Sequence, residues 1–461
     1  LESLVLPADA TTTPVVLNAK MNIDDTGKVG GTSGGDAKLW ETNFNNMVFK
    51  LPQDVVKTIR DENSICDTSY TTKRVFTNAS FTNGQTTLSS GGSTETFFGT
   101  GALSESNRRS GKYYLAVCKT ALTGPYAVGD IIPLDGAGQS ITVNGPSNTT
   151  VTFNANTNTN FTADIIATLN IDSKFERTKT LSKCEVKSIT LPNTTALSSD
   201  SLEKSDIWLL RAVYDSGNSS QDATLPTLTV ASTNDDLTVG ETITGVTSGA
   251  TGTVVSGTAG STSVTYIPIT GTFVAENVTG ATSGFTKVVS AVAAGDTNIT
   301  SRYELDNGQR DNFYDHGSVK LKAGQTGPIG RIKIVYDFFV HTGVGYMSVD
   351  SYTSAVGFDN VPKYKSPTTG EELELRDCVD FRPRRADGGT TIEHIELPVP
   401  NTNWQADYSY YLPRVDTVFV SREKKFGSNT GVSSLITMPP SRLDGTMDLY
   451  RLEIPAYTFK P

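Results

Sequence analysis

The residues best able to do chemistry in this chain are sparse and scattered. Its three histidines, His316, His341 and His394, stand far from one another and from the four cysteines, so local spacing builds no zinc site. Asp306, Asp311, Asn312 and Asp315 lead up to His316 and could offer oxygen to a hard cation, but their order does not fit an EF-hand loop. An ion-paired polar hairpin is the expectation there. Glu371, Glu372, Glu374, Asp377 and Asp380 supply carboxylates of the kind a glycosidase uses in pairs, with no apolar pocket in view to raise one pKa. A solvated or ion-paired face is the simpler expectation. No catalytic residue, metal ion or cofactor is therefore expected.

Two features are better suited to contact than to catalysis. Arg382, Pro383, Arg384 and Arg385 form a short basic cluster, expected to pair with Glu371, Glu372 and Glu374 or with a neighbouring subunit. Trp404, Tyr408, Tyr410 and Tyr411 make the densest aromatic patch and, with Arg414, suit either core packing or a subunit interface. Interface candidates are thus Arg382, Arg384, Arg385, Trp404, Tyr408, Tyr410, Tyr411 and Arg414. The formal charge of −10 argues against a general nucleic-acid binder. Gly31-Thr32-Ser33-Gly34-Gly35 looks like the nucleophile loop of chymotrypsin-like proteases, yet every histidine lies downstream of the serine, the reverse of that fold's order. A flexible loop is expected. No phosphate-binding or dinucleotide-binding motif occurs.

The elements that would position these residues are strands. Only 19% of the 461 residues are charged, and Thr, Ser, Asn and Gly dominate the remainder, which suits short strands joined by polar turns. The expected fold is mainly β: several β-sandwich or small barrel-like domains in one elongated chain with very few short helices. In Arg331 to His341, apolar side chains alternate along one face and the second face is mixed, so this strand should be covered on both sides. Alternation is also expected to run unbroken from Leu373 through Leu375, Asp377 and Val379 to Phe381. Asn83-Gly84 signals a hairpin. Pro52 opens a short helix carrying Val55, Val56 and Ile59, and Thr162 is placed as the cap of one helical turn in FTADIIATLNI. GDIIPL, from Gly129, is expected as a strand.

The organisation expected is an N-terminal arm plus β domain (1–123), an inserted small β module (124–180), return strands (181–230), a duplicated β module (231–298) and a C-terminal β domain (299–461). The duplication is explicit: Gly240 to Val254 and Ala275 to Val289 align without a gap and share an early Glu, a Thr-Gly step and a Thr-Ser-Gly turn. Two copies predict a small pseudo-symmetric unit and not a solenoid. The cysteines (Cys66, Cys118, Cys184, Cys378) are too dispersed for a disulfide framework and read as free thiols. No apolar run is long enough to span a membrane as a helix, and the first residues lack the features of a signal peptide. Starting at Leu1 without an initiator Met and stopping at Pro461 shortly after a strand-like Tyr-Thr-Phe, the chain is expected to be part of something longer.

Five blocks, YELDNGQRDNFYDHG from Tyr303, RIKIVYDFFVH from Arg331, SPTTGEELELRDCVDFRPRR from Ser366, YYLPRVD from Tyr410 and DLYRLEIPAYTF from Asp448, together resemble a domain of large virion structural proteins of contractile-tailed phages, especially those of marine cyanobacteria. The resemblance covers residues 300 to 461. It implies a tail or baseplate component, or attached fibre, made in the host cytoplasm and working by assembly with other tail proteins in several symmetry-related copies. An adhesin that binds a host receptor or surface glycan is the alternative, and a polysaccharide depolymerase is the reading with least support.

Overall fold

The computed structural model describes residues 21–23, 29–30, 48–50, 67–92, 95–104, 113–121, 125–144, 147–172, 176–230, 237–393, 395–399, 403–407, 412–434 and 436–455. The fold is mainly β, with several sheets, one closed barrel and, among the described residues, a single short α-helix at Asp350–Val356. That helix is too short to cross a membrane.

The first half is organised by the long antiparallel pair Asp67–Phe81 and Phe161–Asp172. Phe161, Ala163, Ile165, Ala167, Leu169 and Ile171 are all buried, a period of two that overrides the helical turn expected at Thr162; that segment is a strand. A second sheet of Gln85–Ser89, Thr150–Asn154, Ser140–Asn144 and Gly101–Ala102 contributes Ile141, Val143, Val151 and Phe153 to the same core. Asn83 and Gly84 turn the hairpin as expected, both in the left-handed region (φ 50° and 73°). Gly129 to Leu134 is not a strand, because Pro133 has no N–H to pair and Ile131 makes only one isolated bridge, to Val117. The loop at residues 31–35 and the helix expected at 52–59 lie outside the described residues.

The second half centres on Ile332–Thr342, paired on one side with Thr178–Ile189 and on the other with Ile207–Asp215. It is covered on both faces, as its sequence predicts. Ile332, Ile334, Tyr336 and Phe338 meet Leu202, Tyr303, Val319 and Leu321. Phe339 meets Tyr352, Tyr364 and Leu373, and Val335 lies with Tyr214, Val255 and Ile267. Asp337, on the mixed face, is fully buried; Arg211 Nε donates to it at 2.6 Å and the Cys184 amide at 2.8 Å, so its charge is paired. The alternation expected from Leu373 to Phe381 is interrupted. Glu372–Glu374 is followed by a 3₁₀ turn at Leu375–Asp377 before Cys378–Asp380, which buries Leu375 and Asp377 together. Cys118 and Cys184 are free thiols, and both are buried, as is Cys378; Cys66 lies outside the described residues.

Between Ile207–Asp215 and Thr297–Asn298 the chain makes a closed six-stranded barrel in the order Thr227–Val230, Ser263–Thr270, Thr251–Ser256, Thr242–Gly245, Asn277–Gly280, Thr286–Ala293. This order is that of two three-stranded halves related by a pseudo-twofold axis. Each shared repeat element has a physical role in the other half. The Glu276 carboxylate accepts from the Thr247 and Ser248 amides at 2.6 and 2.8 Å, and Glu241 accepts from Thr282 and Ser283 at 2.9 and 3.0 Å. Gly245 and Gly280 leave the space through which the opposite glutamate passes; a methyl group at either would collide with that carboxylate. Burial would raise both carboxyls, but the hydrogen bonds outweigh it and hold them below the usual range.

Candidate functional site

Three of the blocks that carry the sequence resemblance meet in the interior. Tyr314 and Gln309 come from the first, His341 from the second, Asp380 and Arg382 from the third, and all are buried. Lys179, at the start of Thr178–Ile189, donates from Nζ to Asp206 Oδ2 at 2.6 Å, to the Tyr352 hydroxyl at 2.7 Å and to the Tyr314 hydroxyl at 3.1 Å. Asp206 occupies the turn between Ser199–Ser205 and Ile207–Asp215 with φ at 56°, a conformation an aspartate tolerates better than most residues. It also accepts from His341 Nε2 at 2.7 Å and Gln309 Nε2 at 3.2 Å. Arg382 grips Asp380 through Nε and Nη2, at 3.0 and 2.8 Å, and its Nη2 also reaches the Tyr314 hydroxyl at 2.9 Å. Its guanidinium lies over the Tyr314 and Tyr364 rings, with centroids at 4.3 and 4.4 Å. Arg177 closes the far side by donating to the Arg382 carbonyl at 2.7 Å and to His341 Nδ1 at 3.2 Å.

These partners fix protonation. His341 is neutral, with its proton on Nε2 facing Asp206 and its Nδ1 accepting from Arg177. Burial, followed by the nearby Lys179 charge, pulls its pKa down to about 3. Burial pulls the Lys179 ammonium down to about 8. Burial alone would raise the Asp206 carboxyl, but Lys179 and His341 overcome it and hold that group well below the usual carboxylate range. Burial also pushes the Tyr314 and Tyr352 hydroxyls far above theirs.

The network has acid, base and cation side by side, and its side chains are closed off from solvent. Side-chain exposure is 0% for Lys179 and Arg382, 1% for Asp206 and His341 and 3% for Asp380. What it can do is fasten segments far apart in sequence. Losing one partner of the Lys179–Asp206 or Arg382–Asp380 pair leaves a buried charge unpaired, which costs about 3–5 kcal/mol. The sharp motifs of the C-terminal region therefore encode an internal latch.

The basic cluster sorts differently from its sequence expectation. Arg382 is enclosed and offers no surface to a subunit. Arg384 pairs with Glu393 and Arg385 with Asp315, at 2.9 and 2.7 Å, in place of the expected Glu371, Glu372 and Glu374. Of those glutamates, Glu372 and Glu374 pair with Lys363, at 3.4 and 2.6 Å. Ahead of His316, Asp306 pairs with Arg310 and Asp311 accepts from Tyr364, so the polar hairpin is tied by ion pairs and hydrogen bonds; among the described residues no cluster suits a metal. Trp404 lies in Asn403–Asp407, which pairs with Asp67–Phe81, while Tyr408, Tyr410 and Tyr411 lie outside the described residues. Arg414 is partly exposed and pairs with Asp416 at 3.1 Å.

The surface feature of note is a C-terminal sheet of Phe426–Asn429, Arg414–Ser421 and Thr446–Ile454. Its register places Val418 opposite Tyr450 and Ser428, and Val420 opposite Met447 and Phe426, so these apolar residues share one face. Phe426, Met447 and Tyr450 are 77%, 59% and 71% exposed. Val432, Ile436 and Met438 in the adjoining loop are also bare. At the sheet's end, Ser421, Arg422, Glu423, Asp444, Gly445 and Thr446 line a shallow, open depression. Comparisons with protein-family models, curated proteins and solved structures give no match.

Proposed function

We propose that this chain is a structural component of a phage virion, in the tail baseplate or fibre material attached to it, acting through protein–protein interfaces. The observation that carries the assembly part of this reading is the bare apolar face of the C-terminal sheet. Bulky apolar side chains side by side on one sheet face mark a contact surface more often than a solvated one. The virion setting comes from the resemblance of residues 300 to 461. The buried latch is compatible with it, since its reactive groups are spent on holding strands together.

The test is a cryo-electron microscopy map of the particle together with mass spectrometry of its proteins. The expected result is this chain in symmetry-related copies, with the Arg414–Ser421 sheet against a neighbour. A particle that lacks the chain overturns the proposal. Saturable binding of the isolated chain to host cells, with its density at the tail periphery, would replace it with the adhesin reading.

A further inference from the structure

Thr446–Ile454 is an edge strand of nine residues: Arg414–Ser421 pairs with one side of it, and among the described residues no strand pairs with the other. An exposed edge of this length with apolar side chains is a template for another strand, and proteins that stay soluble cover or blunt it. From this edge we infer that the chain pairs with a second copy of itself, Thr446–Ile454 against Thr446–Ile454, in an antiparallel twofold arrangement that joins two three-stranded sheets into one. The inference rests on the assembly reading above for the need of a partner, and on the strand's own pattern for who that partner is.

The pattern is self-complementary in one register. A bulge at Leu449, where the pairing steps from Val418–Tyr450 to Phe419–Asp448, puts Met447, Tyr450 and Leu452 on the apolar face and Asp448 and Arg451 on the other. With the twofold axis between Leu449 and Tyr450, Asp448 lies opposite Arg451 of the second copy and Arg451 opposite its Asp448. On the apolar face Met447 lies opposite Leu452, twice. Moving the axis onto Tyr450 sets Asp448 against Leu452 and Met447 against Glu453. Moving it onto Arg451 sets that arginine against itself, and the position between them sets Asp448 against Glu453. Only the first register matches charge with charge and face with face. Asp448 and Arg451 are exposed, and among the described residues neither forms an ion pair within the chain.

Charge exchange tests this directly. The full chain, Asp448→Arg, Arg451→Asp, the double variant and an equimolar mixture of the two single variants are followed by sedimentation over a concentration series. Circular dichroism confirms that the exposed substitutions leave the fold intact. The wild-type chain is expected to dimerise, and each single variant, which sets like charges opposite each other twice per dimer, to dimerise at least about tenfold more weakly. The double variant and the mixture should both recover, because positions 448 and 451 then again carry opposite charges wherever they face each other across the axis. A wild-type chain that stays monomeric across the series, or single variants that recover in neither form, overturns the self-pairing. If such a monomer is still built into particles, a strand of another protein covers the edge and the assembly reading survives. A chain that dimerises but is missing from particles has the opposite meaning.

Discussion

His341 should make this protein acid-sensitive in a way one substitution removes. Its imidazole is neutral in the folded chain because burial and Lys179 depress its pKa to about 3, whereas the unfolded chain exposes it with an ordinary value near 6.5. The sign follows from linkage: below about pH 6.5 the unfolded state takes up a proton that the folded state refuses, so stability falls with pH until the folded pKa is reached. At pH 5 the unfolded imidazole is protonated by 1.5 pH units of driving force, about 2 kcal/mol, and at pH 7 almost none of this penalty applies. His341→Gln keeps a donor for Asp206 and an acceptor for Arg177 without a titrating group. Because the chain has several cores, hydrogen exchange of the Ile332–Thr342 amides is the appropriate assay, reporting the opening of this sheet alone. The wild-type chain should lose about 2 kcal/mol more of protection free energy than the variant between pH 7 and pH 5. Equal losses in both would mean that His341 takes up its proton in the fold as readily as in the unfolded chain, so that burial and Lys179 do not depress its pKa.

Two further outcomes are expected. Glu276→Ala strips the acceptor from the Thr247 and Ser248 amides and should destabilise the barrel by about 2–3 kcal/mol, read as weaker exchange protection in Thr242–Gly245 and Asn277–Gly280, with the central sheet unaffected. Gly84→Ala places a methyl group against the Thr157 carbonyl at a left-handed position and should destabilise the sheet that contains Gln85–Ser89 by about 1–3 kcal/mol, read as a melting temperature lowered by several degrees; an unchanged melt would contradict the turn geometry.

Local signals were legible where one residue's neighbours in sequence are also its neighbours in space. The alternation of Ile332 to Val340 specifies a strand, Asn83-Gly84 specifies its turn, and the repeated Glu, Thr-Gly and Thr-Ser-Gly announce a twofold unit. Thr162 misleads because Ile165 and Ile166 are adjacent, which blurs the period of two that the paired strand imposes. The latch was hidden for another reason. Lys179, Asp206, Tyr314, Tyr352 and Asp380 look like ordinary surface residues until distant segments meet, with Arg177 and Arg382 bonded across 205 positions. The one local hint was Asp380 and Arg382 two residues apart, flanking the apolar Phe381: opposite charges aimed to the same side of a buried segment.

The barrel enters and leaves the central sheet through one narrow neck. Thr227 pairs with Ala293, Thr224 and Asp296 hydrogen-bond in both directions, and just below them Tyr214 pairs with Asn298 and Asp215 with Thr297. The sheet thus experiences the whole barrel as though it were a hairpin loop, so a chain of a different length and fold could take its place without shifting a strand. What such a replacement must supply is a lid. Val255 and Ile267 of the barrel cover Tyr214 and Val335, and a substitute without two apolar side chains at that spot would leave this patch of the sheet wet.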